Sequence, residues 1–298
     1  MTPIYGAVEA GGTKFVCIVA SGPGDIRAET RFPTTTPQET IQRTIEFFQE
    51  YQNTSGERIA AVGVGSFGPI DLHADSKTFG FITSTPKPGW ANADLVGPIK
   101  NALQVPVFFD TDVNAAALGE GLWGAARGLT DFIYITIGTG IGGGVVSGGR
   151  LIHGLVHTEV GHILLPHDRA RDPYPGRCPY HKDCFEGMAS GPALKERWGE
   201  SAETFPTDHP AWDLEAHYVA QALHSLICVY SPQRIILGGG VMQQEHLLKK
   251  VRTELLNSLN GYVQSPTLLE HIETYVVNPG LGNYAGSLGS LALTQTTA

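Results

Sequence analysis

The sequence predicts an α/β protein of two domains. Three observations carry this. Apolar strand patterns alternate with amphipathic helical patterns, which predicts mostly parallel sheets. A strand–glycine turn–strand unit opens the chain and recurs near its middle, which predicts two domains of related design. The 298 residues suffice for two separate cores.

The elements follow in order. An apolar strand at residues 4–8 runs into Glu9-Ala10-Gly11-Gly12-Thr13-Lys14 and a second strand at 15–20, a β-hairpin pattern. Thr36-Pro37-Gln38-Glu39 is a capping box with proline at the first helical position. Ile41, Ile45 and Phe48 continue at helical spacing, so a helix runs from 37 to about 52. A buried strand at 59–65 ends at Ser66-Phe67-Gly68-Pro69, and another at 105–109 ends at Asp110-Thr111-Asp112, ahead of a helix at 115–123. The second unit opens with a strand at 131–137, the turn Gly138-Thr139-Gly140-Ile141-Gly142-Gly143-Gly144 and a strand at 145–147. A long helix at 213–230 stops before Pro232, and a strand at 234–237 ends in Gly238-Gly239-Gly240. A helix at 245–259, a strand at 275–277 and a small-residue helix at 285–293 complete the chain.

Composition excludes several function classes. Charged residues are 16% and hydrophobic residues 42%, a globular balance. No run reaches the ~18 apolar residues of a membrane span. The net charge of −9 argues against a nucleic-acid partner, and an anionic substrate would need backbone amides or a divalent cation. Met1 leads almost directly into a strand pattern with no basic leader, so a cytoplasmic chain with reduced thiols is expected.

His162, Cys178, His181 and Cys184 form a dense group of metal-ligand types, bracketed by Glu159 and Glu186. Cys-x2-His-x2-Cys with a more distant histidine fits a closed tetrahedral zinc site better than a disulfide. Such a site would staple the polar loop at 166–177, which lacks apolar content of its own. With four protein ligands it leaves no open position, which makes it structural and opposes a zinc hydrolase. Cys17 and Cys228 lie in apolar runs and read as core residues. His153 and His157 read as surface or packing residues and receive no role.

Three glycine clusters each follow a strand, and their amides could hold phosphate oxygens. One alone is more simply a tight turn; three together raise the phosphate reading. Gly138-x-Gly140-x-x-Gly143 and Gly63-x-Gly65-x-x-Gly68 match the dinucleotide fingerprint, but neither opens a helix, and no Walker A motif occurs. Asp112, beyond a strand end, is placed to accept a proton from a substrate hydroxyl. It also sits where a helix N-cap would, and at this point both readings stand open.

Glu9-Ala10-Gly11-Gly12-Thr13-Lys14, Asp110-Thr111-Asp112-Val113-Asn114-Ala115, Gly138-Thr139-Gly140-Ile141-Gly142, Glu159-x-Gly161-His162, the Cys/His loop and Gly238-Gly239-Gly240 together resemble the ROK family of sugar kinases and transcriptional repressors, in order and over nearly the whole chain. Within it the chain is most similar to bacterial zinc-containing fructokinases, by the histidine in the Cys-x2-His-x2-Cys loop, by Thr111 where glucokinases usually have Asn, and by Thr85-Pro86-Lys87-Pro88-Gly89-Trp90.

The resemblance implies an actin-like, hexokinase-like (ribonuclease H-like) fold with an interdomain active-site cleft that closes over the sugar. The expected domains are 1–114 plus 283–298, a smaller domain completed by a returning C-terminal helix, and 115–282 with the zinc loop. It implies ATP as donor, Mg2+, structural Zn2+, a homodimer, and a hexose substrate with fructose favoured over glucose or mannose. By matching positions, Asp112 is the catalytic base. Ser66, Gly68, Pro69, Asn114, Glu159, His162 and Glu186 bind the sugar, with His162 also a metal ligand. Gly11, Gly12, Thr13 and Lys14 face the γ-phosphate, Gly138, Thr139, Gly140 and Gly142 hold the other phosphates, and Gly238, Gly239 and Gly240 lie against the adenosine. A sugar-sensing member without kinase activity and a zinc-stapled interaction module are the competing readings.

Overall fold

The computed structural model describes residues 2–295. The chain divides into two compact units, the first holding the chain up to Gly128, His153–His157 and the chain from Gly280 onward, the second Leu129–Ile152 and Thr158–Pro279. The division falls after the helix that begins at Asp112, so that helix stays with the first unit.

The first unit contains β1 (Ile4–Ala10), β2 (Lys14–Gly22), β3 (Asp25–Pro33), α1 (Pro37–Ser55), β4 (Ile59–Ser66), a small ribbon of β5 (Phe81–Ile82) and β6 (Ala93–Asp94), α2 (Val96–Leu103), β7 (Val107–Thr111) and α3 (Asp112–Leu122). Its main sheet has the order β3-β2-β1-β4-β7. The first two pairings are antiparallel and the last two parallel. The second unit contains β8 (Phe132–Ile137), β9 (Ile141–Ser147), β10 (Arg150–Leu151), α4 (Phe185–Ala189), α5 (Gly191–Trp198), α6 (Ala211–Tyr230), β11 (Arg234–Gly238), α7 (Glu245–Leu259), α8 (Pro266–Leu269), α9 (Ile272–Tyr275) and β12 (Val276–Val277). Its sheet, β10-β9-β8-β11-β12, repeats the plan: two antiparallel pairings, then two parallel ones. The recurrence seen in the sequence is therefore a recurrence of topology. The sheets are evenly mixed rather than mostly parallel, because each glycine turn makes a hairpin.

Burial explains why the strands form where they do. Val8, Phe15, Cys17 and Val64 in the first sheet, and Ile133, Ile135, Ile235 and Leu237 in the second, are fully buried. Each large aliphatic or aromatic side chain so placed contributes about 1.5–3 kcal/mol. β3 escapes the sequence pattern because it is a polar edge strand, with only Phe32 buried. The capping box is half realised. Thr36 accepts the Glu39 N–H, but the Glu39 carboxylate takes the Thr35 hydroxyl instead. Tyr275, expected in the last strand, closes α9.

The C-terminal helix α10 (Ala285–Ala292) packs on β1, β4 and α3. The approach is backbone to backbone. A Cβ added at Gly63 would stand 1.8 Å from the Ser290 carbonyl oxygen, and one at Gly289 2.4 Å from that of Ala115. Ser290 Oγ accepts the Gly65 N–H at 3.2 Å. The buried Glu120 carboxylate takes the N–H groups of Ala125, Gly280 and Leu281, which fixes where the chain re-enters this unit. No helix among the described residues is long and apolar enough to cross a membrane.

Candidate active site

In the first unit the site is built at the junction of β7 and α3. Thr111, not Asp112, is the N-cap: its Oγ1 accepts the Asn114 N–H at 3.1 Å. Asp112 is thus the first helical residue, and its Oδ1 accepts the adjoining Val113 N–H at 2.9 Å. The capping reading of Asp112 falls, and Thr111 gains a structural role. Desolvation pushes the Asp112 carboxyl up to about 6. Asn114 is buried, with its side-chain amide on Asp110 at 2.7 Å.

Glu9, on β1, was not singled out by sequence reasoning. Desolvation, and secondarily the Asp112 charge, push it up to about 7. Its carboxylate fills the space above Gly286, where a Cβ would stand 2.3 Å from Glu9 Cδ. A buried carboxyl raised in part by a second one is a sign of a functional site, but in the sequence Glu9 is only the residue that follows the first strand pattern.

The glycine turns differ from the expectation in detail. Gly11, Gly12 and Thr13 form the first turn, closed by the Gly11 N–H on the Lys14 carbonyl at 3.1 Å, and Lys14 begins β2. In the second unit only Gly138, Thr139 and Gly140 form the turn. Gly142 lies within β9, paired with Thr136, because a glycine-rich segment can join an antiparallel ladder as readily as a loop. Gly238 is the last residue of β11, and Gly239 and Gly240 follow it. Ser66 is fully buried, its hydroxyl donated to the Phe67 carbonyl at 2.8 Å. The Gly68–Pro69 peptide is cis, and beside it His157 Nε2 accepts the Ile70 N–H at 3.3 Å. His153 Nε2 meets Asp110 Oδ2 at 2.9 Å, a contact that raises its pKa. Both histidines left without a role thus belong to the first unit and pack beside proposed site residues.

In the second unit His162, Cys178, His181 and Cys184 place one ligand atom each within 4.8 Å of one another, so the four can hold one metal ion. Glu159 lies exposed just before His162. Glu186, on α4, follows Cys184 closely and accepts the Ile141 N–H at 2.9 Å. It crowds Gly140 so that a Cβ there would stand 2.7 Å from Oε2. One carboxylate therefore ties the Cys/His loop to the glycine turn.

The loop is not held by that cluster alone, contrary to its polar sequence. Asp172 is buried, accepts the Tyr218 hydroxyl at 2.7 Å and pairs with Arg197 at 3.2 Å. His167 bridges the Asp172 carbonyl and the Asp183 carboxylate, at 2.8 and 3.0 Å. These polar side chains find partners on α5 and α6, so the segment buries its polar groups without an apolar pattern. Tyr218→Phe should cost about 1–2 kcal/mol, read as a fall in Tm. An unchanged Tm would show the anchor to be idle.

A family model described as the ROK family matches residues 5–297. The chain belongs to the ROK family. A fructokinase of Streptococcus mutans serotype c is 44% identical over 301 residues, covering 100% of this chain and 99% of that one. A fructokinase of Zymomonas mobilis subsp. mobilis is 43% identical over 293 residues, covering 97% and 96%. Among solved structures, a ROK family glucokinase from Streptomyces griseus in complex with glucose and AMPPNP is 26% identical, with a TM-score of 0.76 over 99% of each chain. Like its ROK hexokinase neighbours, this ROK protein has the actin-like fold, one mixed sheet of the same order in each unit.

Proposed function

We propose that this ROK protein is an ATP-dependent hexose kinase that converts D-fructose to fructose 6-phosphate. One observation carries the chemistry: Asp112, freed from capping by Thr111, is a desolvated carboxyl poised near 6 at a strand end. A general base works best with its pKa near the working pH. The full-length relatives named fructokinase support the sugar.

In this reading Asp112 takes the proton of the sugar hydroxyl as its oxygen attacks the γ-phosphorus. The bond to the leaving oxygen breaks, and ADP departs. Phosphoryl transfer asks mainly for positioning and charge neutralisation. Asn114, Glu159, His162, Glu186 and the Ser66–Pro69 segment hold sugar hydroxyls. Gly11, Gly12, Thr13 and Lys14 face the γ-phosphate, while Gly138, Thr139, Gly140 and Gly142 hold the remaining phosphates and Gly238 to Gly240 the adenosine. Glu9, a hard oxygen donor whose carboxyl burial has raised to about 7, suits Mg2+, which would favour its ionised form. When bound, that ion neutralises phosphate charge.

The Cys/His cluster fits zinc. A tetrahedral ion with thiolate and imidazole ligands sets sulfur–nitrogen separations of about 3.6 Å. Here Cys178 Sγ stands 3.7 Å from the Nδ1 atoms of His162 and His181, and Cys184 Sγ 3.6 Å from that of His162. Zinc would hold the loop and orient the His162 ring through Nδ1. The proposal extends to a homodimer in the cytoplasm, where ATP and reduced cysteines are found.

A coupled assay of ADP release with fructose, glucose and mannose tests the reading. Fructose should give the highest kcat/KM. A glucose or mannose preference would replace the substrate, and no sugar-dependent ADP with any hexose would defeat the kinase reading.

A further inference from the structure

The turn that carries Asp112 is fastened by a residue distant in sequence. Asp110 is buried at 5% exposure, next to the end of β7. Its Oδ1 accepts two donors, the Thr111 backbone N–H and the Asn114 side-chain amide, both at 2.7 Å. Its Oδ2 meets His153 Nε2 at 2.9 Å. An ionised carboxylate only accepts, so His153 carries a proton on Nε2. Asn114 Nδ2 lies 3.3 Å from that same nitrogen, but two donors do not bond each other. Asp110 is therefore the shared acceptor of three groups.

Those groups bracket the proposed base. Thr111 precedes Asp112 and caps its helix; Asn114 follows it and is 1% exposed. With its amide on Asp110, the Asn114 carboxamide is fixed, and its Oδ1 is a buried acceptor with no partner among the described residues. The far end of the brace is itself anchored. The segment from His153 to His157 closes on itself by an antiparallel bridge. His157 Nε2 takes the Ile70 N–H, and His73 Nε2 meets the Leu155 carbonyl at 3.1 Å.

We propose that His153 is a positioning residue for Asp112: by donating to Asp110 it completes the clamp that fixes both flanks of the catalytic turn and the buried Asn114 carbonyl oxygen. This rests on the kinase reading above. Without the donor, Asp110 holds a buried oxygen with nothing to satisfy it and turns toward water, loosening Thr111 and Asn114 together. A misplacement of about 1 Å at a reacting group costs on the order of 100-fold in rate. His153 is an accessible test of this, because its side chain is 42% exposed and its removal leaves no core cavity.

The experiment compares wild type, His153→Ala, His153→Gln and Leu155→Ala in steady-state ADP release with fructose and ATP. Gln can place an amide donor where Nε2 stands; Leu155, 91% exposed in the same segment, controls for surface change. His153→Ala should lower kcat about 10- to 100-fold, with the KM for ATP nearly unchanged, the KM for fructose raised less than kcat falls, and a modest drop in Tm. His153→Gln should recover most of kcat, and Leu155→Ala should match wild type. If His153→Ala yields no folded protein, His153→Met takes its place. The inference is overturned by a wild-type kcat in the donor-free variant, by a Gln variant as slow as that one, or by a loss confined to KM. Wild type without sugar-dependent ADP defeats the kinase reading and the inference with it; wild-type turnover beside an unaffected His153→Ala defeats the inference alone.

Discussion

Asp112→Asn should lower kcat by roughly 10²- to 10⁴-fold, the usual contribution of a positioned general base, while calorimetry finds sugar affinity largely kept. Turnover near the wild-type level would reduce Asp112 to a helix residue. The pH profile gives an independent reading. With its carboxyl at about 6, wild type should lose kcat/KM as pH falls through that value, and the residual rate of the Asn variant should not follow that slope. Stability should move the other way. The folded-state pKa lies above the unfolded value of about 3.9, so the folded state holds its proton more tightly, and stability declines as pH rises from about 4 to about 6. Asn mimics the protonated form. At pH 7.5 the variant should be more stable by roughly 1–3 kcal/mol, visible as a Tm several degrees higher, with the gain gone at pH 4. A lower Tm at pH 7.5 would contradict the desolvation argument. A variant slower and yet more stable is the expected mark of a site that trades stability for chemistry.

Cys178→Ser should release the metal from the Cys/His cluster, measured as metal content per chain. It should raise the sugar KM about 10-fold through misplaced Glu159, His162 and Glu186. Because Glu186 also accepts the Ile141 N–H beside the glycine turn, the KM for ATP should rise as well. The Tm should fall only modestly, since Asp172 stays tied to Tyr218 and Arg197. Metal loss with unchanged kinetics would place the cluster far from both substrates.

Much of this was legible because the chemistry lies in short, ordered motifs. The strand-turn-strand unit announced its own repetition, and the helix expected at 245–259 forms as Glu245–Leu259. What was not legible depends on partners far apart in the chain. Nothing near Asp112 says that Thr111 takes the cap; that is settled by where β7 ends. Glu9 acquires its significance from Asp112, and His153 from Asp110, each a neighbour only in space. The loop around Asp172 looked unable to hold itself because polar anchors leave no periodicity. β3 was invisible for a related reason: an edge strand facing water carries no apolar alternation.

The seam under α10 bears on how the chain is made. Gly63 and Gly289 let this last helix lie against strands and a helix that left the ribosome long before it. Until α10 has been made, β1 and β4 lack the cover that completes their unit. The second unit is almost continuous in sequence and includes none of the residues from Gly280 onward. Domains usually fold in the order of their synthesis; here the half that begins first is the one finished last. A chain stalled before Ala285 would hold a folded second unit and an open first one, and a chaperone would find its binding surface in the first unit rather than in the second.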